Sequence, residues 1–110
     1  NGLEILKFSL RELPPLFNEV LSKNNLTKKD IDYFIFHQAS GIVIKYVTKK
    51  LDLDEGKVIS SLKDYGNTVS ASIPIALSVA IKQNLIKPNS TIFIAGFGIG
   101  YSWSASIIKN

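Results

Sequence analysis

The sequence predicts an α/β domain, a mixed sheet covered by helices, with the last strand antiparallel to its neighbour. Three observations carry this. Short apolar runs rich in β-branched and aromatic residues alternate with stretches whose apolar positions recur at helical spacing. Ile31 to Phe36 is almost wholly apolar after Asp32, the pattern of a strand buried on both faces in the interior of a parallel sheet. Finally, only a glycine-rich connection separates Thr91 to Ala95 from Tyr101 to Ile108, short enough to make these two strands antiparallel neighbours.

In chain order, Leu3 to Phe8 is the first strand candidate. Ser9-Leu10-Arg11-Glu12 follows in the Ser-x-x-Glu form of a capping box, in which a hydroxyl and a carboxylate satisfy free N–H groups at a helix start. Leu13, Phe17, Val20 and Leu21 recur at helical spacing, Pro14 and Pro15 imply that this helix starts late or bends, and Asn24-Asn25 ends it. Thr27-Lys28-Lys29-Asp30 is a second turn of capping-box form and leads into the strand Ile31 to Phe36. Next, Ala39, Ile42, Val43, Tyr46, Val47 and Leu51 form an apolar helical stripe with Lys45 and Lys49 opposite, a surface helix packed on a sheet. Asp52 to Gly56 reads as a turn, Val58 to Leu62 as a third strand, and the Gly66-Asn67 region as a loop. Ser70 to Asn84 reads as a helix capped by Ser70 or Ser72, with Pro74 tolerated in its first turn. Its residues Ile73, Ile75, Ala76, Leu77, Val79, Ala80 and Ile81 leave it apolar nearly all round, so it needs cover on every side. One small sheet cannot supply that cover, and a further layer from a second domain or a partner subunit is expected. Lys87-Pro88-Asn89-Ser90 is the turn before the last two strands.

Composition narrows the classes. With 110 residues, 45% of them hydrophobic and 20% charged, the chain fits one soluble globular domain and not a disordered segment. Having no cysteine, it holds no disulfide framework, no thiolate nucleophile and no Cys-based zinc site. It also has no methionine, even at position 1, and is expected to be part of a longer protein. Asn1-Gly2-Leu3-Glu4 does not open a signal peptide and no apolar run reaches the length of a membrane span, so the expected location is the cytoplasm, away from membranes. Twelve lysines and one arginine give a net charge of +4. Nucleic-acid binders add arginine and exposed aromatics to their lysines, so the lysines read as a solvated face or as attraction to an acidic partner.

Three signals fall near strand ends: His37, Gly66-Asn67-Thr68 and Gly96-Phe97-Gly98. Ligands of open α/β sheets gather outside the carboxyl ends of parallel strands, so these segments are expected to converge in one crevice. Taken singly, each has a plainer reading: His37 as a structural hydrogen-bonder, Asn67 as a turn residue. A helix start beside His37 favours its neutral imidazole, able to donate one hydrogen bond. Gly96-Phe97-Gly98-Ile99-Gly100 is no dinucleotide loop, because a strand and not a helix follows it. Gly100-Tyr101-Ser102-Trp103-Ser104 ends in serine where a nucleophile elbow needs glycine, and Asp52-Leu53-Asp54-Glu55-Gly56 lacks the spacing of a calcium loop.

Together, Ile31-Asp32-Tyr33-Phe34-Ile35-Phe36-His37-Gln38-Ala39, Tyr65-Gly66-Asn67-Thr68-Val69-Ser70-Ala71-Ser72-Ile73-Pro74 and Gly96-Phe97-Gly98-Ile99-Gly100-Tyr101-Ser102-Trp103 resemble the carboxyl-terminal half of 3-oxoacyl-(acyl-carrier-protein) synthase III. The resemblance runs in register over the chain and makes residues 1–110 the carboxyl-terminal domain of such an enzyme. It implies one half of the thiolase fold, where each half contributes a five-stranded mixed sheet and the inner helices of the two halves pack together. The apolar helix from Ser70 to Asn84 would meet its counterpart there.

The activity implied is a decarboxylating Claisen condensation in fatty acid biosynthesis, in which an acyl group moves from coenzyme A to a cysteine and then to the enolate of malonyl-acyl carrier protein. His37 and Asn67 match the histidine and asparagine that donate hydrogen bonds to the malonyl thioester oxygen. Gly98 and Ile99 match the turn whose backbone N–H helps hold the oxyanion of acyl transfer, and Phe97 the aromatic residue beside the site. Gln38, Ala39, Ser40, Gly41, Ile42, Lys45 and Lys49 fall on the segment expected to meet acyl carrier protein. The nucleophilic cysteine belongs to the amino-terminal half, so these residues alone are expected to be inactive. No metal or cofactor is implied, the substrates being thioesters of coenzyme A and of the carrier protein's phosphopantetheine, and the full-length enzyme is expected to be a homodimer. The chain departs from the pattern at Ser40, where His-Gln-Ala-Asn is usual, and at Ile42, where a basic docking residue is usual, with Lys45 and Lys49 one and two turns further on. A related condensing enzyme of polysaccharide or secondary metabolism shares these motifs, and a non-catalytic interaction module could keep the fold.

Overall fold

A computed structural model describes residues 2–37, 40–59, 87–98 and 102–109. The elements are α1 (Gly2–Lys23), β1 (Tyr33–His37), α2 (Gly41–Lys50), β2 (Val58–Ile59), β3 (Thr91–Gly98) and β4 (Ser102–Lys109), with short 3-10 turns at Lys28–Asp30 and Glu55–Lys57. Among the described residues the sheet has four strands in the order β2-β1-β3-β4. β1 runs parallel to β2 and β3, whereas β3 and β4 are antiparallel, as the glycine-rich connection predicts.

The strand expected at Leu3 to Phe8 is helix, and so the expected five strands are not what the described residues form. An unbroken 22-residue helix runs through Pro14 and Pro15, so it does not start late at them. Its buried stripe, Ser9, Leu13, Phe17 and Leu21, recurs every fourth residue on both sides of the prolines. Each proline costs a helix interior about 3 kcal/mol, and burying the stripe's large side chains at about 1.5–3 kcal/mol each offsets it. Ser9 is therefore no N-cap. It lies inside the helix, where its hydroxyl donates to the Ile5 carbonyl at 2.8 Å.

Both helices end alike. Asn25 at φ 56° and Asp52 at φ 54° adopt the left-handed conformation. Around them, Leu26 N–H donates to Leu21 O at 2.9 Å and Asn25 N–H to Ser22 O at 3.1 Å, while Leu53 N–H donates to Thr48 O at 2.9 Å and Asp52 N–H to Lys49 O at 3.2 Å. These pairs are Schellman caps, which satisfy the last free carbonyls of each helix. The Lys28 ammonium adds hydrogen bonds to Leu51 O (3.3 Å) and Asp52 O (2.9 Å), a cation placed at the negative end of α2.

One face of the sheet packs Phe34, Phe36, Phe93 and Ala95 against Leu13, Phe17 and Leu21 of α1 and Val43 and Val47 of α2. Phe17 meets Phe93 edge-on at 4.9 Å between centroids, a favoured aromatic geometry. On the opposite face Ile35, Ile92 and Ile94 are buried too, so the apolar run of β1 is covered on both sides as its composition predicts. α2 packs on the sheet as expected, with one correction: Ile42 (62% exposed) and Tyr46 (46%) are not on its buried stripe. The rest of the expected third strand to Leu62, the Gly66-Asn67 loop and the helix from Ser70 to Asn84 lie outside the described residues.

Candidate active site

His37 is the last residue of β1, and parallel pairing sets it beside Gly96 of β3. Gly96 in turn faces Ser104 of β4, followed by the rows Phe97–Trp103 and Gly98–Ser102. Gly96-Phe97-Gly98 therefore does not follow the strand, as the sequence suggests, but forms its last three residues. The ladder holds the segment extended because Ser102, Trp103 and Ser104 pair with it in register. Two of the three expected signals meet in this way at the carboxyl end of the parallel strands. Asn67, Ile99, Gln38 and Ala39 lie outside the described residues.

Behind this corner stands an aromatic wall that the sequence reading missed. The ring of Trp103 lies 5.4 Å from Phe97 and 6.5 Å from Phe36, and Phe8 meets Phe97 edge-on at 6.1 Å. The signal for Trp103 was present in the alternation of β4, where Trp103, Ala105 and Ile107 are half-buried and Ser102, Ser104 and Ser106 are exposed. Phe8 carries no such signal, because Leu3 to Phe8 has the composition of a strand and forms helix.

Beyond His37 the chain enters α2, whose first turn is closed by Ser40, its hydroxyl accepting from Val43 N–H at 3.3 Å. A Cβ added at Gly41 would meet nothing within 4 Å, so the start of the helix is uncrowded. Ile42, Lys45, Tyr46 and Lys49 are all exposed and share one helical face by their three- and four-residue spacing. Among the described residues no group of three or more His, Cys, Asp or Glu side chains is placed to hold a metal ion. No helix among them is long and apolar enough to cross a membrane.

The sequence profile of the family described as 3-Oxoacyl-[acyl-carrier-protein (ACP)] synthase III C terminal matches residues 21–110. The chain belongs to this family. It is 43% identical over 109 residues to the beta-ketoacyl-[acyl-carrier-protein] synthase III of Clostridium tetani, covering 99% of this chain and 33% of that protein. Its identity to the synthase III of Prochlorococcus marinus (strain MIT 9312) is 40%, over 99% of this chain and 32% of that protein. The solved structure of 3-oxoacyl-[acyl-carrier-protein] synthase III from Aquifex aeolicus superposes with a TM-score of 0.86 at 34% identity, covering 100% of this chain and 36% of that one. The chain thus spans about a third of the length of the curated relatives it matches. Its mixed sheet with a final antiparallel pair is the architecture of the synthase III carboxyl-terminal region.

Proposed function

We propose that residues 1–110 serve as the carboxyl-terminal domain of a condensing acyltransferase, joining an acyl group from coenzyme A to malonyl-acyl carrier protein with loss of carbon dioxide. The observation that carries this reading is the His37–Gly96 pairing at the carboxyl end of the parallel strands, in a chain of the synthase III family. Decarboxylation leaves negative charge on the malonyl thioester oxygen. His37 and Asn67 donate hydrogen bonds to that oxygen, and each preorganised donor is worth about 3–4 kcal/mol of barrier. The enolate carbon then attacks the acyl thioester on a cysteine of the amino-terminal half, since this chain has none. The tetrahedral oxyanion so formed is held by backbone N–H at Gly98 and Ile99, with Phe97 lining the site. Collapse of this intermediate expels the cysteine thiolate and releases the 3-oxoacyl carrier protein.

Acyl carrier protein docks on the start of α2, along Gln38, Ala39, Ser40, Gly41, Ile42, Lys45 and Lys49. Support comes from the exposed face on which Ile42 and Tyr46 provide apolar area and Lys45 and Lys49 positive charge for an acidic carrier. No metal or cofactor enters the mechanism, and a homodimer of the complete enzyme, working in the cytoplasm in fatty acid biosynthesis, completes the reading.

The test separates the two half-reactions in the complete enzyme. His37→Ala or Asn67→Ala should slow malonyl decarboxylation about 100- to 1,000-fold, the usual cost of one oxyanion donor, and acyl loading from coenzyme A much less. The double variant should lose less than the product of the single losses if the pair acts as a unit. Equal loss in both half-reactions would make the residues structural, and undiminished decarboxylation would reject the mechanism.

A further inference from the structure

Ser9 is fully buried in the middle of α1, and its single hydroxyl is used twice. It donates to Ile5 O at 2.8 Å and accepts from the Trp103 indole N–H at 2.9 Å. The first bond fixes the hydroxyl's direction, and the second fixes the orientation of the indole on β4. The indole, held at its nitrogen, presses its ring on Phe97 at 5.4 Å with the planes 58° apart, and meets Phe36 edge-on at 6.5 Å. Phe8, one residue before Ser9 on α1, braces the Phe97 ring from its own side at 6.1 Å. Phe97 and Trp103 face each other one row before Gly98 and Ser102, the last paired row among the described residues. A single helical turn of α1 therefore reaches the end of β3 by two routes, one through the indole and one through Phe8.

We propose that Ser9 is a positioning residue for acyl transfer: acting through the Trp103 indole, it fixes the Phe97 ring and with it the strand end at Gly98, where the oxyanion-holding segment assigned above begins. This rests on the role proposed above for Gly98 and Ile99. A backbone donor works at about 2.7–3.1 Å from the developing oxyanion, and a displacement of about 1 Å from that place costs on the order of 100-fold. A hydroxyl that orients the indole thus acts on the step that uses Gly98 and Ile99, and leaves the decarboxylation assigned to His37 and Asn67 nearly untouched.

The experiment is a double-mutant cycle in the complete enzyme with Ser9→Ala, Trp103→Phe and both together. Ser9→Ala should slow acyl loading from acyl-coenzyme A roughly 10-fold while decarboxylation stays within about 2-fold, a split that general loosening of the fold would not produce. In the Trp103→Phe background, Ser9→Ala should add less than about 2-fold, because the indole through which it acts is gone. Equal slowing of both half-reactions, unchanged loading, or a full Ser9→Ala effect without the indole each overturns the proposal. Should Ser9→Ala fail to fold, Ser9→Cys keeps the volume, weakens the acceptor and is held to the same outcomes.

A second readout does not depend on turnover. With indole nitrogens labelled, the Trp103 signal is identified by its loss in Trp103→Phe, and Ser9→Ala should shift it and speed its N–H exchange about 10-fold or more. An unmoved signal overturns the positioning role. A wild-type enzyme inactive in both half-reactions, with a signal that does move, overturns the condensing reading and leaves the positioning of Phe97 standing.

Discussion

The two ends of the sheet are built from different materials. At the amino-terminal end the chain is tied by polar side chains to backbone. Asp32 N–H donates to Thr91 O and Thr91 N–H to the Asp32 carboxylate, both at 2.8 Å, while Lys57 Nζ donates to Ile31 O at 3.1 Å and the Ser90 hydroxyl to Lys87 O at 2.6 Å. Lys28 closes the end of α2, and Asn25, Asp52 and Asn89 turn the chain through left-handed conformations. At the carboxyl-terminal end the paired rows hold glycines and serines, backed by the rings of Phe8, Phe36, Phe97 and Trp103. Polar groups engaged in fastening cannot also serve a substrate. At the carboxyl end, rings and narrow glycine rows take the structural part that side-chain hydrogen bonds take at the other.

If the comparison is sound, a lesion between the two ends should damage both, and Phe93 is the place to make it. Its ring contacts those of Phe17, Phe34 and Phe36 and is wholly buried. Phe93→Ala should destabilise the chain by about 3–5 kcal/mol, through lost burial and the cavity left behind. Denaturant unfolding followed by circular dichroism reads this as a lower midpoint at unchanged slope. A loss below about 1 kcal/mol would mean that the ends are stabilised independently of the core that joins them.

The legibility of the sequence follows the same division. Strands β1 and β3, the existence of α2 and the antiparallel final pair were readable because period and turn chemistry are local signals. The amino-terminal part of α1 was not. Within Leu3 to Phe8 nothing separates a short strand from a helical turn, and Ser9 and Glu12 imitate a helix start. What decides the matter is remote in sequence: Ser9 is buried and accepts from the indole N–H of Trp103, 94 residues later. Likewise Ile42 and Tyr46 match an apolar stripe by spacing, yet the sheet is covered by Val43 and Val47, which leaves them on the Lys45 face. The meeting of His37 and Gly96 at the strand ends was legible in the sequence. The alternation of β4 marks Trp103 as inward-facing, but its contacts with Phe97 and Phe36 and that of Phe8 with Phe97 join strands and a helix and leave no local trace.

A smaller effect is expected from the fastened end alone. Asp32→Ala removes the carboxylate that receives Thr91 N–H and leaves that exposed donor to water, so the loss should be about 0.5–1.5 kcal/mol. Both half-reactions of the complete enzyme should proceed at wild-type rates in this variant when measured well below its melting temperature. Slowed decarboxylation would show that the amino-terminal ties reach the site, and the division between the ends would fail.

The smallest effect lies at Asp30, also at the fastened end. Its carboxylate accepts from Thr27 N–H at 2.7 Å and from the Thr27 hydroxyl at 3.1 Å, and these bonds, the backbone one foremost, hold its pKa below the ordinary 3.8. The sign follows from which form is bound. A carboxyl group that gives up its proton more readily when folded contributes stability above 3.8, and loses it as pH falls below 3.8 through the lowered folded value. Between neutrality and pH about 5 this group should change nothing, since it is ionised in both states. Carbon-detected NMR titration of the Asp30 carboxyl should give a midpoint below 3.8 in the native chain. In Thr27→Ala the midpoint should rise only part of the way back, because the hydroxyl is lost and the dominant backbone donor remains. A full return to the ordinary value would assign the turn to the hydroxyl instead. A midpoint unmoved by the substitution would leave the backbone N–H as the sole tie at this corner of the sheet.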